Sequence, residues 1–280
     1  MFKLDAKHIA AYLLLGLGFA VVMGFMYMQY VYYDAMVATF GVSNAELGLL
    51  ITILGITALV TSLPQGALAD RFDCRKALSF SLFAMMIGVG VLALFPTYPV
   101  AIGVWICDGI VMSLWYSAIY KTVRVIAPPD AVGKSFGMFG IGTALGSIIV
   151  KVAGLALYDH FAEAYNLQAG LSSILWAFFA AGMISSVFGY LLIKGFKMQG
   201  EGDEGEKEKT NLKTVLRALR SPSVWLYVLG CFCIYSFQVS ISYFTPYFTA
   251  VLGASLTFSG VVAIFRQYGL RIISAPFGGW

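Results

Sequence analysis

Eight runs of about twenty mainly apolar residues, each long enough to cross a bilayer, divide this chain of 280 residues. They cover residues 9–33, 47–69, 77–95, 99–120, 136–158, 171–193, 223–248 and 256–279. In hydrocarbon every backbone N–H and C=O must find its partner inside the protein, so each run reads as a helix. Composition agrees with that reading. Hydrophobic residues make up 60% of the chain and charged ones 11%, against about 45–50% and 25% in soluble domains. Eleven of the 32 formal charges are gathered between Lys197 and Arg220, which leaves too few elsewhere to cover a surface in water. A soluble enzyme, a disordered chain and a nucleic-acid binder are excluded. The expectation is an all-α integral membrane protein whose main partner is membrane lipid.

Lysine and arginine then orient the runs. Fifteen of the 18 lie before the first run or in the second–third, fourth–fifth and sixth–seventh connections. The other connections hold none, and only Lys151, Arg266 and Arg271 lie inside runs. The positive-inside rule therefore places the amino terminus and the long middle connection in the cytoplasm of a multi-pass inner-membrane protein. The first run is too long for a cleaved signal and reads as a retained anchor. Cys74, Cys107, Cys231 and Cys233 follow no ligand spacing; Cys231 and Cys233 point about 200° apart on a helix. No metal or cofactor is expected.

The middle connection splits the chain. Residues 200–209 are acidic and glycine-containing, whereas 211–220 set Leu212, Val215, Leu216 and Leu219 against Lys213, Arg217 and Arg220, as in a short interfacial helix. Pro222 suits the first turn of the seventh helix. The second run ends Pro64-Gln65-Gly66 and the eighth ends Pro276-Phe277-Gly278, an offset of 212 residues that reads as an internal repeat. This predicts a six-helix bundle over 1–196, a linker over 197–222, and the first two helices of a second bundle over 223–280. On the repeat the complete pattern has about twelve helices, and the chain reads as cut after the eighth.

One cytoplasmic stretch narrows the class. Gly66-Ala67-Leu68-Ala69-Asp70-Arg71-Phe72-Asp73-Cys74-Arg75-Lys76 follows the second run. It resembles the loop signature of the major facilitator superfamily of secondary transporters, with Asp73 where that signature has a turn glycine and Cys74 where it has a basic residue. Asp tolerates the left-handed conformation such a turn uses. The resemblance implies a helical bundle of the major-facilitator type. It also implies a gate in which Gly66 permits close helix approach, while Asp70, Arg71 and Arg75 latch the cytoplasmic side.

An ionisable group at bilayer depth costs about 2.5–3.5 kcal/mol on the insertion scale, which makes such groups candidates for function. Counting about 1.5 Å per residue, Asp108, Lys151 and Arg266 all fall a little outside the midplane. Two readings of the three compete. Lys151 and Arg266 bring positive charge to an anionic substrate, with Asp108 balancing Lys151 or carrying a proton; alternatively, Asp108 and Lys151 form a static ion pair. Met23, Tyr27, Tyr30 and Asp34 form a polar-aromatic stripe on the first helix. Asp108, Met112, Trp115 or Tyr116, and Tyr120 do so on the fourth, and Tyr235, Gln238 and Ser242 on the seventh. In the resembled family these three helices line the central cavity. Lys121 and Arg124, at the cytoplasmic end of the fourth helix, read as snorkelling groups. Gly142 and Gly146 have the four-residue spacing of a tight crossing.

Nothing in the sequence resembles a nucleotide loop or a catalytic triad, so no enzymatic activity is expected. The reading is secondary active transport of a small polar or anionic solute by alternating access, with H+ as a coupling ion. The alternatives are a transporter-like solute sensor or a nonfunctional truncated fragment. Single cysteines placed in the connection at 41–44 and in that at 72–76 should react with an impermeant thiol reagent from opposite sides of the membrane. Reaction of both from one side would refute the topology.

Overall fold

The computed structural model describes residues 5–196, 220–240 and 251–253, with the backbone alone at 29–30, 33–34, 67, 70–71 and 237–240. All regular structure among them is helical: α1 (Ala6–Met26), α2 (Gln29–Phe40), α3 (Asn44–Arg71), α4 (Cys74–Leu92), α5 (Tyr98–Ile126), α6 (Val132–Ala164), α7 (Leu167–Lys194) and α8 (Pro222–Ser240), with a 3-10 turn at Pro129–Ala131. Six of these helices are long and apolar enough to cross a membrane. They correspond to the first six runs, extended at most ends by a few residues. Pro222 opens the seventh helix, as its fixed φ allows. The expected interfacial helix at 211–220 and the eighth helix at 256–279 lie outside the described residues.

Local chemistry explains where the helices begin and end. Ser43 and Glu46 form a reciprocal capping box at the start of α3: the Ser43 N–H donates to Glu46 Oε2 at 2.7 Å, and the Glu46 N–H to Ser43 Oγ at 3.2 Å. Asn166 Oδ1 accepts from the Ala169 N–H at 2.8 Å to open α7. Gly41 closes α2 in the left-handed conformation, φ 62°. The first run departs from the expected single helix. It breaks at Tyr27–Met28, where the Met28 N–H turns back to the Phe25 carbonyl at 3.1 Å and the Val31 N–H to Met28 at 3.0 Å. Tyr32 departs from helical angles as well. Aromatic residues lose side-chain freedom against the preceding turn of a helix, and residues 27–33 include four tyrosines, so this stretch favours a helix weakly.

Residues 5–196 pack as one body around close helix crossings. A Cβ on Gly16 would stand 2.5 Å from the Thr143 backbone nitrogen, and one on Gly142 2.7 Å from the Leu13 Cα and carbonyl oxygen. Gly146 meets Ala20, Gly24 meets Val150, and Gly154 meets the Tyr32 hydroxyl. These pairs advance together along both helices, so α1 and α6 run parallel. The small-residue step at Gly142 and Gly146 thus makes the tight crossing its spacing announces. Polar ties join other pairs: Ser113 Oγ donates to the Ala58 carbonyl at 2.7 Å between α5 and α3, and Ser186 Oγ to Ser79 at 2.8 Å between α7 and α4. At one end Lys7 Nζ donates to the Gly195 carbonyl at 2.6 Å and lies 4.6 Å from the Phe196 ring centre, tying the first helix to the last of this body. Tyr12, Phe25, Met85, Met86, Trp115 and Leu171 fill the core. Exposed apolar residues such as Leu59, Val60 and Leu63 on α3 suit contact with acyl chains.

Two glycines of α6 give the test. Ala at Gly142 must push two backbones apart and should cost about 1–3 kcal/mol. Gly140 has no neighbour within 4 Å of a built Cβ among the described residues, so Ala there should be neutral or stabilise by up to about 1 kcal/mol. Thermal unfolding of the two variants in detergent checks the difference. Equal midpoints would show that the crossing is not tight.

Candidate functional site

The stripes expected on the first and fourth helices touch at one pair, Met23 and Tyr116. Tyr116 on α5 donates its hydroxyl hydrogen to the Met23 sulfur on α1 at 3.3 Å. Phe19 stacks on Trp115 with ring centres 5.1 Å apart and meets Phe139 of α6 edge-on at 5.4 Å. Tyr120 continues the wall, 6.0 Å from Phe139 and 6.4 Å from Phe136. Trp115 is fully buried, Tyr116 half-buried and Tyr120 exposed, so the cluster grades from packed core to open face. Such a surface offers aromatic faces and hydroxyls to a small polar molecule.

On α5 Asp108 stands about 120° round the helix from Tyr120 but only about 20° from Trp115, seven residues on. Its carboxylate lies against α4: a Cβ on Gly88 would come 2.5 Å from Oδ1 and 2.8 Å from Oδ2. The residue is 2% exposed, and Oδ2 accepts no hydrogen bond among the described residues. No ion pair between Asp108 and Lys151 is formed among the described residues, so the static pair, one of the two sequence readings, is not present. Lys151 follows Val150, which packs on Gly24, and is half-buried. It therefore stands within about one turn of the α1–α2 break, level with Tyr27. Tyr27 and Tyr235 are exposed, at 40% and 60%. The Tyr30 and Gln238 side chains and all of Arg266 lie outside the described residues.

α3 and α4 are joined through Phe72 and Asp73 alone. Asp73 has φ −57°, not the left-handed conformation its position suggested. Its carboxylate accepts from the Arg75 N–H at 2.9 Å and caps α4, which is why an aspartate serves here without a glycine. Gly66 has nothing within 4 Å of a built Cβ among the described residues. Arg75 is half-buried, and the Asp70 and Arg71 side chains are not described. The residue that the sequence reading missed is Lys121. Its Nζ donates to the Ala69 carbonyl at 2.6 Å, so α5 holds one of the carbonyls that the end of α3 leaves unpaired. A signal was available, since Lys121 lies three residues inside Arg124 and so deeper than snorkelling requires.

Lys121→Met should therefore loosen this corner by about 1–2 kcal/mol. Cys74 is buried beside it, and its alkylation, followed by mass spectrometry, should quicken in the variant. An unchanged rate would mean that the Lys121 bond does not hold the turn.

Known proteins resemble this chain along nearly all of its length. Inner membrane protein YqcE of Escherichia coli (strain K12) is 25% identical over 260 residues, covering 90% of this chain and 59% of the relative. Inner membrane protein YihN of the same organism is 24% identical, covering 89% and 59%. A probable sugar efflux transporter of Haemophilus influenzae is 29% identical over 117 residues, 40% of this chain and 28% of the relative. Among solved structures, the proton:xylose symporter XylE superposes with a TM-score of 0.57 at 16% identity, over 97% of this chain and 66% of that one, and shares the fold. The chain thus spans about three-fifths of the length of the full-length relatives it matches. The profile of the Major Facilitator Superfamily matches residues 11–280, and the chain belongs to that family of membrane transporters.

Proposed function

We propose that the protein is a proton-coupled secondary active transporter of a small polar or anionic solute, without enzymatic activity. It works in the inner membrane with its amino terminus in the cytoplasm. The observation that carries this reading is the family match along residues 11–280. The meeting of Met23 and Tyr116 supports it, because that contact turns the two expected cavity stripes toward one another. The relative named as a sugar efflux transporter and the proton:xylose symporter sharing the fold support a small polar solute and a proton.

In this reading the six-helix body over 1–196 and the second body begun at 223–280 rock about a central site, joined by the linker at 197–222. Lys151 from the first and Arg266 from the second supply positive charge to the solute. The hydroxyls and amide of Tyr27, Tyr30, Tyr235 and Gln238 bind its polar atoms. Gly66, Asp70, Arg71 and Arg75 close the cytoplasmic side while the other side is open.

Reconstituted in vesicles under an imposed pH gradient, the protein should take up or expel anionic solutes from a panel of small sugars, sugar acids and phosphate esters. Loss of one charge-assisted hydrogen bond, in Lys151→Ala or Arg266→Ala, should weaken apparent affinity by about 10- to 100-fold. Unchanged affinity in both variants would remove the basic pair from the site. Movement of neutral sugars alone would remove the anionic preference.

A further inference from the structure

Asp108 lies about 15 Å inside the Tyr98 end of α5, counting 1.5 Å per residue, and is 2% exposed. Both carboxyl oxygens rest on the backbone of α4, in room that exists because residue 88 has no side chain. The next residue, Gly109, seals the α3 side: a Cβ there would stand 2.9 Å from the Leu54 carbonyl oxygen and from Thr57. A carboxyl group thus occupies the junction of three helices, about 12 Å along α5 from Tyr116.

The charged and titratable groups of the neighbouring helices lie far from it or turn elsewhere. On α3 they are Glu46, about 12 Å along the helix from Leu54, and Asp70 and Arg71 at the opposite end. On α4 they are Cys74, Arg75 and Lys76, about 18–21 Å along the helix from Gly88. Those of α1 (Lys7, His8 and Tyr12) fall in its first two turns. On α6 Lys151 makes no ion pair with Asp108 among the described residues, and on α5 the neighbouring Cys107 is exposed. Among the described residues no hydrogen-bond donor reaches Oδ2 to compensate a negative charge there. Removing an ionised carboxylate from water without compensation is far more costly than removing the neutral acid.

We propose that Asp108 is a proton-binding site enclosed at the α3–α4–α5 junction, in the room left by Gly88, and that it carries its proton in this conformation. The proton leaves when α5 parts from α4 at Gly88 and water enters. The carboxyl O–H bond then breaks, the proton passes to water, and a solvated carboxylate remains until the helices close on a newly protonated acid. The site stands on its own geometry; its use in coupling rests on the transport reading above.

Infrared difference spectra of the protein in lipid vesicles at neutral pH test the site without any solute. Subtracting Asp108→Asn from wild type should leave one protonated-carboxyl C=O stretch, which moves on exchange into heavy water. In Gly88→Ala, which keeps the acid and removes its room, that band should shift or vanish. An absent band in the difference spectrum overturns the proposal, and so does a band in Gly88→Ala identical to that of wild type. The same vesicles under a pH gradient separate the two readings. If the band is present but solute movement ignores the gradient, the proton site stands and the coupling fails.

Discussion

The contact between the backbones of α1 and α6, at Gly16 and Gly142, sets the geometry of the six-helix body. In a bilayer apolar side chains gain little by leaving lipid for protein, so helices associate through close packing and polar ties. Removing side chains at the crossing brings two backbones together and fixes the parallel register of Gly16 with Gly142, Ala20 with Gly146 and Gly24 with Val150. From that register follows the height of Lys151 beside the α1–α2 break. The edge-on contact of Phe139 with Phe19, which carries the aromatic wall across to α6, follows from it too.

Helix α5 makes different contacts along its length. Its later turns set Trp115, Tyr116 and Tyr120 against α1 and α6, where aromatic rings and a hydroxyl meet. Its middle presses Asp108 and Gly109 onto α4 and α3, where glycines and a serine tie replace bulk with contact. A rotation or tilt of this helix would move the wall and the enclosed acid together. Its Lys121 meanwhile holds the end of α3 at the α3–α4 turn, so the charged signature there is tied to the helix that carries the aromatic cluster.

Much of the fold was legible in the chain because its causes are local. Length and apolarity alone place the first six spans, since a helix in lipid satisfies its own backbone. The Gly142–Gly146 step announced a crossing, and the stripes on the first and fourth helices named Met23 and Tyr116, which do meet. What escaped were matters of direction. Four-residue spacing suggests one stripe for Asp108 and Tyr120, yet over twelve residues the 3.6-residue period sets them about 120° apart, and Asp108 lies against α4. Asp73 stands where the signature has a turn glycine and tolerates a left-handed conformation, whereas its carboxylate caps α4 in an ordinary one. Lys121 was read as a group reaching for water, and its partner is a carbonyl of another helix.

By itself, then, the order of residues determined which segments lie in lipid, where the charges collect and which small residues permit close approach, because hydrophobicity, charge and size act at each position regardless of its neighbours. Only the tertiary structure decided what each polar side chain inside the bundle faces: an acid with a glycine beneath it, a lysine on a helix end, a tyrosine on a methionine sulfur. Those outcomes depend on the rotation of one helix against the next, and that rotation is set by contacts between residues far apart in the chain.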